Sequence, residues 1–169
     1  MSTSLPERIR PLRLARRGER VSGRMPVAGM SRLLESLYSD AGEVAVDLRF
    51  HRDDEGHHRI TGTVQGTLEL VCQRCLGPLR FEVDSAVCLE VVERVEDATQ
   101  PEEGYEPLLV TEEHVSLRRL VEDELILALP PYPRHAQGVC GIAARYRPVS
   151  DAESGGRQRP FDVLAKLKR

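Results

Sequence analysis

The chain has 169 residues, of which 30% are charged and 40% hydrophobic, and its mean hydropathy is −0.36. A chain of this length can bury enough apolar surface to fold as one independent domain. No apolar stretch approaches the roughly 20 residues that a membrane-spanning helix needs, and residues 1–8 lack the apolar core of a secretory signal. Composition therefore argues against a membrane or exported protein, and we expect a single cytoplasmic domain over residues 1–169.

The net charge of −3 hides a strong segregation along the chain. Residues 1–32 carry eight arginines against two acids, a net charge of +6, whereas residues 33–130 have a net charge of −14 and residues 131–169 one of +5. Such asymmetry is typical of basic arms around an acidic body. The alternative is that the charge serves solubility alone.

Residues 1–42 are predicted to form a basic arm and a helix. Residues 8–14 alternate basic and apolar side chains around Pro11, which indicates a short edge strand interrupted by proline. Further on, Pro26 can open a helix, whose apolar face would consist of Val27, Met30, Leu33, Leu34 and Leu37.

Residues 43–92 contain three segments in which apolar and polar residues alternate, the pattern of strands with one buried face. They cover residues 44–50, 60–70 and 79–91. Their connections are too short for a parallel crossover, so an antiparallel meander is expected. Gly62 and Gly66 occupy apolar-face positions, which predicts a bulge or sharp bend there.

The remaining residues are predicted to form a long acidic loop (93–107), a helix (116–129) and a proline-rich loop with a basic tail (130–169). Ser116 is a suitable N-cap for the helix, and Pro130 with Pro131 ends it. Pairs at i,i+4 on its outer face are Arg118 with Glu122 and Arg119 with Asp123. The fold class is therefore α+β, with an antiparallel, strongly coiled or partly closed (barrel-like) sheet and two or three helices packed on it.

Two of the four cysteines form a Cys72-Gln-Arg-Cys75 motif, whose spacing lets both thiolates reach one tetrahedral ion at a tight turn. His135 and Cys140 follow in the proline-rich loop and would complete a Cys₃His set, with zinc as the candidate cofactor. Structural thiols and a redox pair are the alternatives. A redox pair is disfavoured because thioredoxin-type motifs open a helix. Cys88 lies between two apolar strand residues, and we interpret it as buried packing.

No motif for catalysis is present. The chain lacks a phosphate-binding glycine loop, a dinucleotide fingerprint, a nucleophile elbow and a metalloprotease helix. Glu122, Asp123 and Glu124 are consecutive, so they point in different directions on a helix and are expected to be a solvated face. His57 and His58 are expected at a charged hairpin tip. We predict that the chain is not an enzyme and has no small-molecule substrate.

Four segments occur in an order and at distances that resemble the YceD family, the bacterial and plastid large ribosomal RNA subunit accumulation proteins. They are residues 70–75, 121–130, 135–140 and 160–168. The resemblance implies a ribosome-biogenesis factor that acts in the synthesis, processing or stability of the large-subunit (23S) ribosomal RNA. It also aligns this chain's histidine and cysteines with those of the family: His135, Cys72, Cys75, Cys88 and Cys140.

The charge map together with this resemblance predicts a non-catalytic adaptor in a pre-large-subunit ribosomal particle. Basic residues of the two arms would neutralise RNA phosphates; the candidates are Arg10, Arg13, Arg16, Arg17, Arg20, Lys166 and Lys168. The acidic body would instead attract a basic ribosomal protein. The alternative is a zinc-stabilised protein-interaction module that binds such a protein without touching RNA.

Overall fold

The computed structural model describes residues 5–94, 96–97, 104–136 and 139–140. Two compact units are distinguished, Met1–His135 and Ala136–Arg169, and every helix and strand described below belongs to the first. Within the described residues, no helix has both the length and the apolar character needed to cross a membrane. The expectation of a single domain stays a prediction.

The first unit is built on a five-stranded sheet with the strand order β2-β3-β4-β5-β6. A two-stranded pair, β1 with β7, completes the strands of the described residues. In chain order the elements are β1 (Arg8–Ile9), α1 (Pro11–Arg17), β2 (Arg20–Pro26), α2 (Ser31–Leu34), β3 (Glu43–Arg52), β4 (His58–Val71), β5 (Pro78–Val92), β6 (Glu106–Leu109), β7 (Val115–Ser116) and α3 (Leu117–Ala128).

The α+β class and the antiparallel meander are confirmed, with β3 to β5 matching the three alternating segments. The sheet is not wholly antiparallel, because β6 runs parallel to β5 and extends into the segment expected to be a loop. Its register is short, from Leu89 opposite Glu106 to Val92 opposite Leu109. Among the described strands β2 and β6 remain the two edges, so the sheet is open and the barrel-like form is not confirmed.

The N-terminal segment differs from its predicted structure. Pro11 opens helix α1 instead of interrupting a strand, because its fixed φ and missing N–H suit the first helical position. Gly18, in the left-handed conformation at φ 63°, ends this helix, and the edge strand β2 follows. The helix expected from Pro26 is reduced to the single turn of α2, because Pro26 instead ends strand β2 opposite Glu43 and Val27 N–H donates to Gly42 O at 3.1 Å beyond it.

The glycines of β4 permit close approach of two strands rather than a bulge. The ladder between β3 and β4 is continuous, from Val44 opposite Gly66 to Arg52 opposite His58, so the predicted bulge is wrong. A Cβ on Gly62 would lie 2.0 Å from the backbone oxygen of Asp47. Only a residue without a side chain fits there.

Helix α3 packs an apolar stripe against the sheet, as its periodicity predicts. Ser116 caps it through its Oγ, which accepts from Arg119 N–H at 3.4 Å. The stripe meets the buried face of the sheet in one core. Its fully buried members, each at most 1% exposed, include Leu117, Val121 and Leu125 of α3 and Val44, Val46, Leu48, Phe50, Ile60, Val64, Leu68 and Leu70 of the sheet.

Glu122 contradicts the expectation of a solvated acidic face, because it is only 4% exposed. One carboxylate oxygen accepts from the backbone N–H groups of Arg32 and Leu33 at 2.8 and 3.2 Å. The other accepts from the Arg32 guanidinium at 3.0 Å. The i,i+4 pairing with Arg118 is therefore wrong: Arg118 donates to Ala28 O, and Glu122 of α3 satisfies the exposed amides at the start of α2.

Replacing Glu122 with glutamine should lower the free energy of unfolding by about 2 kcal/mol, since a buried charge-assisted acceptor is lost. Denaturant titration followed by circular dichroism measures the change. Asp123→Asn is the matched control, because Asp123 binds the same guanidinium at 2.6 Å but is exposed. That variant should lose less than about 1 kcal/mol. Equal losses in both variants would contradict the capping role of Glu122.

Lowering the pH should reduce the free energy of unfolding, because two carboxylates that are stabilised in the folded protein become protonated. Burial opposes ionisation of Glu122, but its hydrogen bonds from Leu33 and Arg32 outweigh burial and lower its pKa below 4.5. Desolvation likewise opposes ionisation of Asp53, yet hydrogen bonds from His57 and Arg59 lower its pKa from 3.8 to about 2.

A carboxylate whose pKa is depressed by folding stabilises the protein above its unfolded pKa, and this stability is lost as pH falls. We therefore expect the free energy of unfolding to decline from about pH 4.5 towards about pH 2, in the window set by these two groups. The decline should be shallower in Glu122→Gln. Parallel profiles for the two proteins, measured by denaturant titration at each pH, would show that Glu122 does not contribute.

Candidate metal centre

The Cys72–Cys75 motif forms the tight turn between β4 and β5. Cys72 N–H donates to Gly77 O at 3.0 Å, and Leu76 N–H donates to Cys72 O at 2.8 Å. Leu76 has a φ of 59°, a left-handed conformation that a residue with a side chain adopts only at a cost. These backbone constraints hold both cysteine side chains on the same turn.

The segment after α3 is hydrogen-bonded to this turn. Gln73 N–H donates to Pro133 O at 2.9 Å, and the Arg74 guanidinium donates to His135 O at 3.2 Å. The helix cannot continue through Pro130 and Pro131, because proline lacks the N–H and clashes with the preceding turn. The chain therefore leaves α3 and returns along the C-x-x-C turn.

Hydrogen bonding orients the imidazole of His135 towards the cysteines. Its Nε2 lies 2.9 Å from Pro78 O, and since a carbonyl only accepts, Nε2 carries the proton. Nδ1, which lies 3.4 Å from Cys75 Sγ, is then the unprotonated nitrogen of the neutral ring. A histidine that donates one N–H to a backbone carbonyl and turns its other nitrogen to the site has the arrangement found in metal ligands.

The four residues predicted as metal ligands come together. One ligand atom from each of Cys72, Cys75, His135 and Cys140 lies within 4.8 Å of the others. Cys72 and Cys140 are buried, while Cys75 and His135 are partly exposed. None of the chain's four cysteines is in a disulfide. Three sulfur atoms and one imidazole nitrogen in this space could hold a metal ion.

Cys88 is exposed, and the expectation of a buried cysteine is wrong. Its neighbours Val87 and Leu89 are buried on the core side of β5. Because successive side chains of a strand point to opposite faces, a residue between two buried ones faces solvent. Cys88 therefore lies outside the cluster.

The basic candidates in the described residues fall into separate environments. Arg10, Arg13 and Arg17 line a cavity of about 370 Å³ together with Arg8 and His114. Arg10 donates to His114 Nε2 at 2.8 Å and forms an ion pair with Glu113 at 3.1 Å, and Arg17 lies 3.4 Å from Glu19.

The other basic candidates do not join this cavity. Arg20 is held by a bidentate ion pair with Asp47, and Arg16 is exposed on α1. Lys166 and Lys168 lie outside the described residues. His114 was not a candidate in the sequence, because a contact with Arg10 across 104 positions leaves no local pattern.

A family model and a curated relative both indicate the same protein family. The family model described as large ribosomal RNA subunit accumulation protein YceD matches residues 60–168. A curated protein of that name from Haemophilus influenzae is 32% identical over 168 residues, which cover 98% of this chain and 97% of the relative. No solved structure matches the chain significantly.

Metal analysis should find a bound ion in protein purified without chelator. Cys72→Ser should lose the ion and lower the free energy of unfolding by several kcal/mol, because metal-binding energy at a structural site is folding energy. Cys88→Ser is the matched control, since it removes a thiol outside the cluster and should keep both metal and stability. The metal site would be refuted by wild-type protein that is metal-free and no less stable in chelator.

Proposed function

This chain belongs to the YceD family of large ribosomal RNA subunit accumulation proteins, and on that premise we propose that it supports synthesis, processing or stability of the 23S ribosomal RNA. The observation that carries the proposal is a likeness to a relative of that name over 98% of the chain. The protein would act as a ribosome-biogenesis factor in the cytoplasm, bound to pre-large-subunit particles.

We further propose that this role is that of an adaptor and not of an enzyme. A general acid or base needs a reachable carboxyl or imidazole whose pKa suits proton transfer. Glu122, the most buried acid of α3, has a lowered pKa and spends its oxygens on backbone and guanidinium donors. The oxygens of Glu122 are therefore committed to the fold, and this carboxylate is not a candidate acid or base.

We propose zinc as the ion of the cysteine–histidine cluster. Tetrahedral zinc with sulfur at about 2.3 Å separates its ligand atoms by roughly 3.8 Å, which the 4.8 Å limit on the four atoms accommodates. Cys72, Cys75, His135 and Cys140 would hold it, and bound zinc would supply structural cross-linking instead of a reaction centre. The ligands would need to lose their thiol protons on binding, so affinity should fall in acid.

RNA contact is proposed for the arginines of α1 and its flanks. Arg13 and Arg17 are exposed and line the same cavity of about 370 Å³, where a phosphate could reach several guanidinium groups. Guanidinium forks suit phosphate oxygens better than lysine does. Arg20 contributes less to this proposal, because its guanidinium is occupied by Asp47.

The second candidate function is a zinc-stabilised module that binds a basic ribosomal protein without RNA contact. The net charge of −14 over residues 33–130 favours it, since an acidic surface repels nucleic acid and attracts basic proteins. Co-sedimentation with pre-large-subunit particles after nuclease treatment separates the two. Binding that survives nuclease but fails when one ribosomal protein is depleted would support the second candidate.

The proposed function is tested by deleting the gene and measuring the ratio of 23S to 16S ribosomal RNA in growing cells. The ratio should fall and recover when the wild-type gene is restored. Purification of the tagged protein, with sequencing of bound RNA and mass spectrometry of bound proteins, should recover large-subunit precursors. An unchanged ratio together with no large-subunit component would overturn the proposal.

Direct phosphate contact predicts a specific change in salt dependence. The double variant Arg13→Gln and Arg17→Gln should lower the log–log salt slope of binding to a 23S ribosomal RNA transcript by about 1.5, the counterions of two phosphates. Filter binding across a potassium chloride series measures the slope.

The matched control is the double variant Arg80→Gln and Arg119→Gln, which removes the same charge at exposed positions on β5 and α3. It should keep the wild-type slope within error. The same slope in all three proteins would remove the α1 arginines from the RNA-contact model.

A further inference from the structure

Four arginines line the cavity of about 370 Å³ beside α1, which we call the arginine cavity: Arg8, Arg10, Arg13 and Arg17. Glu19 is the single acid among the described lining residues, so four positive charges face one negative charge and the lining has a net charge of +3. The metal centre shares none of these residues. Such a lining attracts an anion.

Two local features of the fold place these side chains around one space. The antiparallel pairing of β1 with β7 brings the next residues on the two chains together, and Arg10 Nε donates to His114 Nε2 at 2.8 Å. Arg13 and Arg17 are four positions apart on α1, so they lie on the same face of the helix. The guanidinium groups therefore converge on the cavity from the end of a strand and from a helix.

Contacts within the chain leave several N–H groups of these arginines for a ligand. Arg10 uses Nε for His114 and Nη1 for Glu113, which lies 3.1 Å away, so its Nη2 takes no part in either contact. Arg17 contacts Glu19 through Nη1 at 3.4 Å, although a guanidinium has five N–H donors. The side chains of Arg10 and Arg17 are 39% and 57% exposed, so an anion from solvent can reach them.

Two carboxylates beside the cavity, Glu112 and Glu113, already pair with its arginines. Glu112 lies 3.9 Å from Arg8, too far for a hydrogen bond, and Glu113 lies 3.1 Å from Arg10. The side chains of the two acids are 78% and 68% exposed, and exposed ion pairs contribute little to stability. An anion with a higher charge than a carboxylate can therefore displace them.

The rest of the lining suits the sugar and base of a nucleotide. Apart from His114, the remaining lining residues are apolar, namely Pro6, Ile9, Leu14 and Val21. Such side chains can cover a ribose or the face of a base, a surface that a site for a small inorganic anion does not need. A volume of about 370 Å³ lies at the small end of the range for small-molecule cavities, which leaves room for one nucleotide.

We propose that the arginine cavity binds the terminal phosphate of a single RNA strand, together with the nucleotide that carries it. A terminal phosphate is a monoester with a charge of about −1.5 to −2 at pH 7 and three acceptor oxygens, whereas an internal phosphodiester has one negative charge. Four guanidinium groups in one cavity exceed what a single internal phosphate can neutralise, and their forks suit phosphate oxygens. The first phosphodiester of the same strand, one nucleotide away, would share these arginines.

The inference deepens the RNA contact proposed for these arginines and rests on the proposed function for the identity of the RNA. A phosphorylated protein also carries a phosphate monoester, but the apolar part of the lining favours a nucleotide. Hydrolysis of an internal phosphodiester leaves a phosphate monoester on one of the two new ends. A site of this kind would therefore bind strands that cleavage of a precursor has produced.

Fluorescence anisotropy with the full chain tests the proposal. A short single-stranded RNA is prepared with a 5′-phosphate, with a 3′-phosphate and with hydroxyl groups at both ends, each form carrying the same internal dye. The wild type should bind one phosphorylated form about tenfold more tightly than the hydroxyl form, because charge-assisted hydrogen bonds are added. Arg13→Gln should lose most of this preference, whereas Arg119→Gln, which removes an exposed arginine of α3, should keep it.

Equal affinity for the three RNA forms would overturn the terminal-phosphate site, even if RNA binding itself depends on Arg13 and Arg17. A preference that Arg13→Gln and Arg119→Gln keep alike would also overturn it. A phosphoserine peptide that binds as tightly as the phosphorylated RNA, with the same dependence on Arg13, would overturn the assignment to RNA. Thermal unfolding shows whether Arg13→Gln is folded, and Arg17→Gln replaces it if it is not. The proposed function fails separately, through an unchanged ratio of 23S to 16S ribosomal RNA.

Discussion

The buried carboxylate of Glu122 joins helix α3 to the N-terminal part of the fold. It accepts from two backbone amides of α2 and from the Arg32 guanidinium, so its desolvation is offset by several charge-assisted bonds. The direction of α3 in turn decides where the chain goes after Pro130. Because that chain is hydrogen-bonded to the C-x-x-C turn through Gln73 and Pro133, we infer that the position of His135 beside Cys75 depends on how α3 is anchored.

The short helix α1 contributes residues to two cavities, one lined mainly by acidic and one mainly by basic side chains. Leu12 lines the acidic cavity, and its neighbour Arg13 lines the arginine cavity. Consecutive residues of a helix point about 100° apart, so one seven-residue element can serve both surfaces.

Features that depend on neighbouring residues are predicted correctly from the sequence, whereas features that depend on contacts between distant residues are not. Alternation is local, and it correctly predicted β3 to β5 and the buried stripe of α3. Pro11 and Gly62 were misinterpreted because each residue suits two structures, and distant partners decide between them. The burial of Glu122 could not be predicted from the sequence, since its partners lie about 90 positions away. The error at Cys88 was avoidable, because its buried neighbours already imply an exposed side chain.

The cysteine–histidine cluster was predictable for a different reason. Residue types and their spacing indicate metal ligands even when the course of the chain between them is unknown. His135 was selected as a metal ligand from the residue types and their spacing, although 60 positions separate it from Cys75. The fold also weakens the redox alternative. A reactive C-x-x-C pair draws its low thiol pKa from the start of a helix, whereas this pair connects β4 to β5. With Nε2 of His135 committed to Pro78 O, Nδ1 is the nitrogen that faces Cys75, and the four residues of the cluster could hold a metal ion.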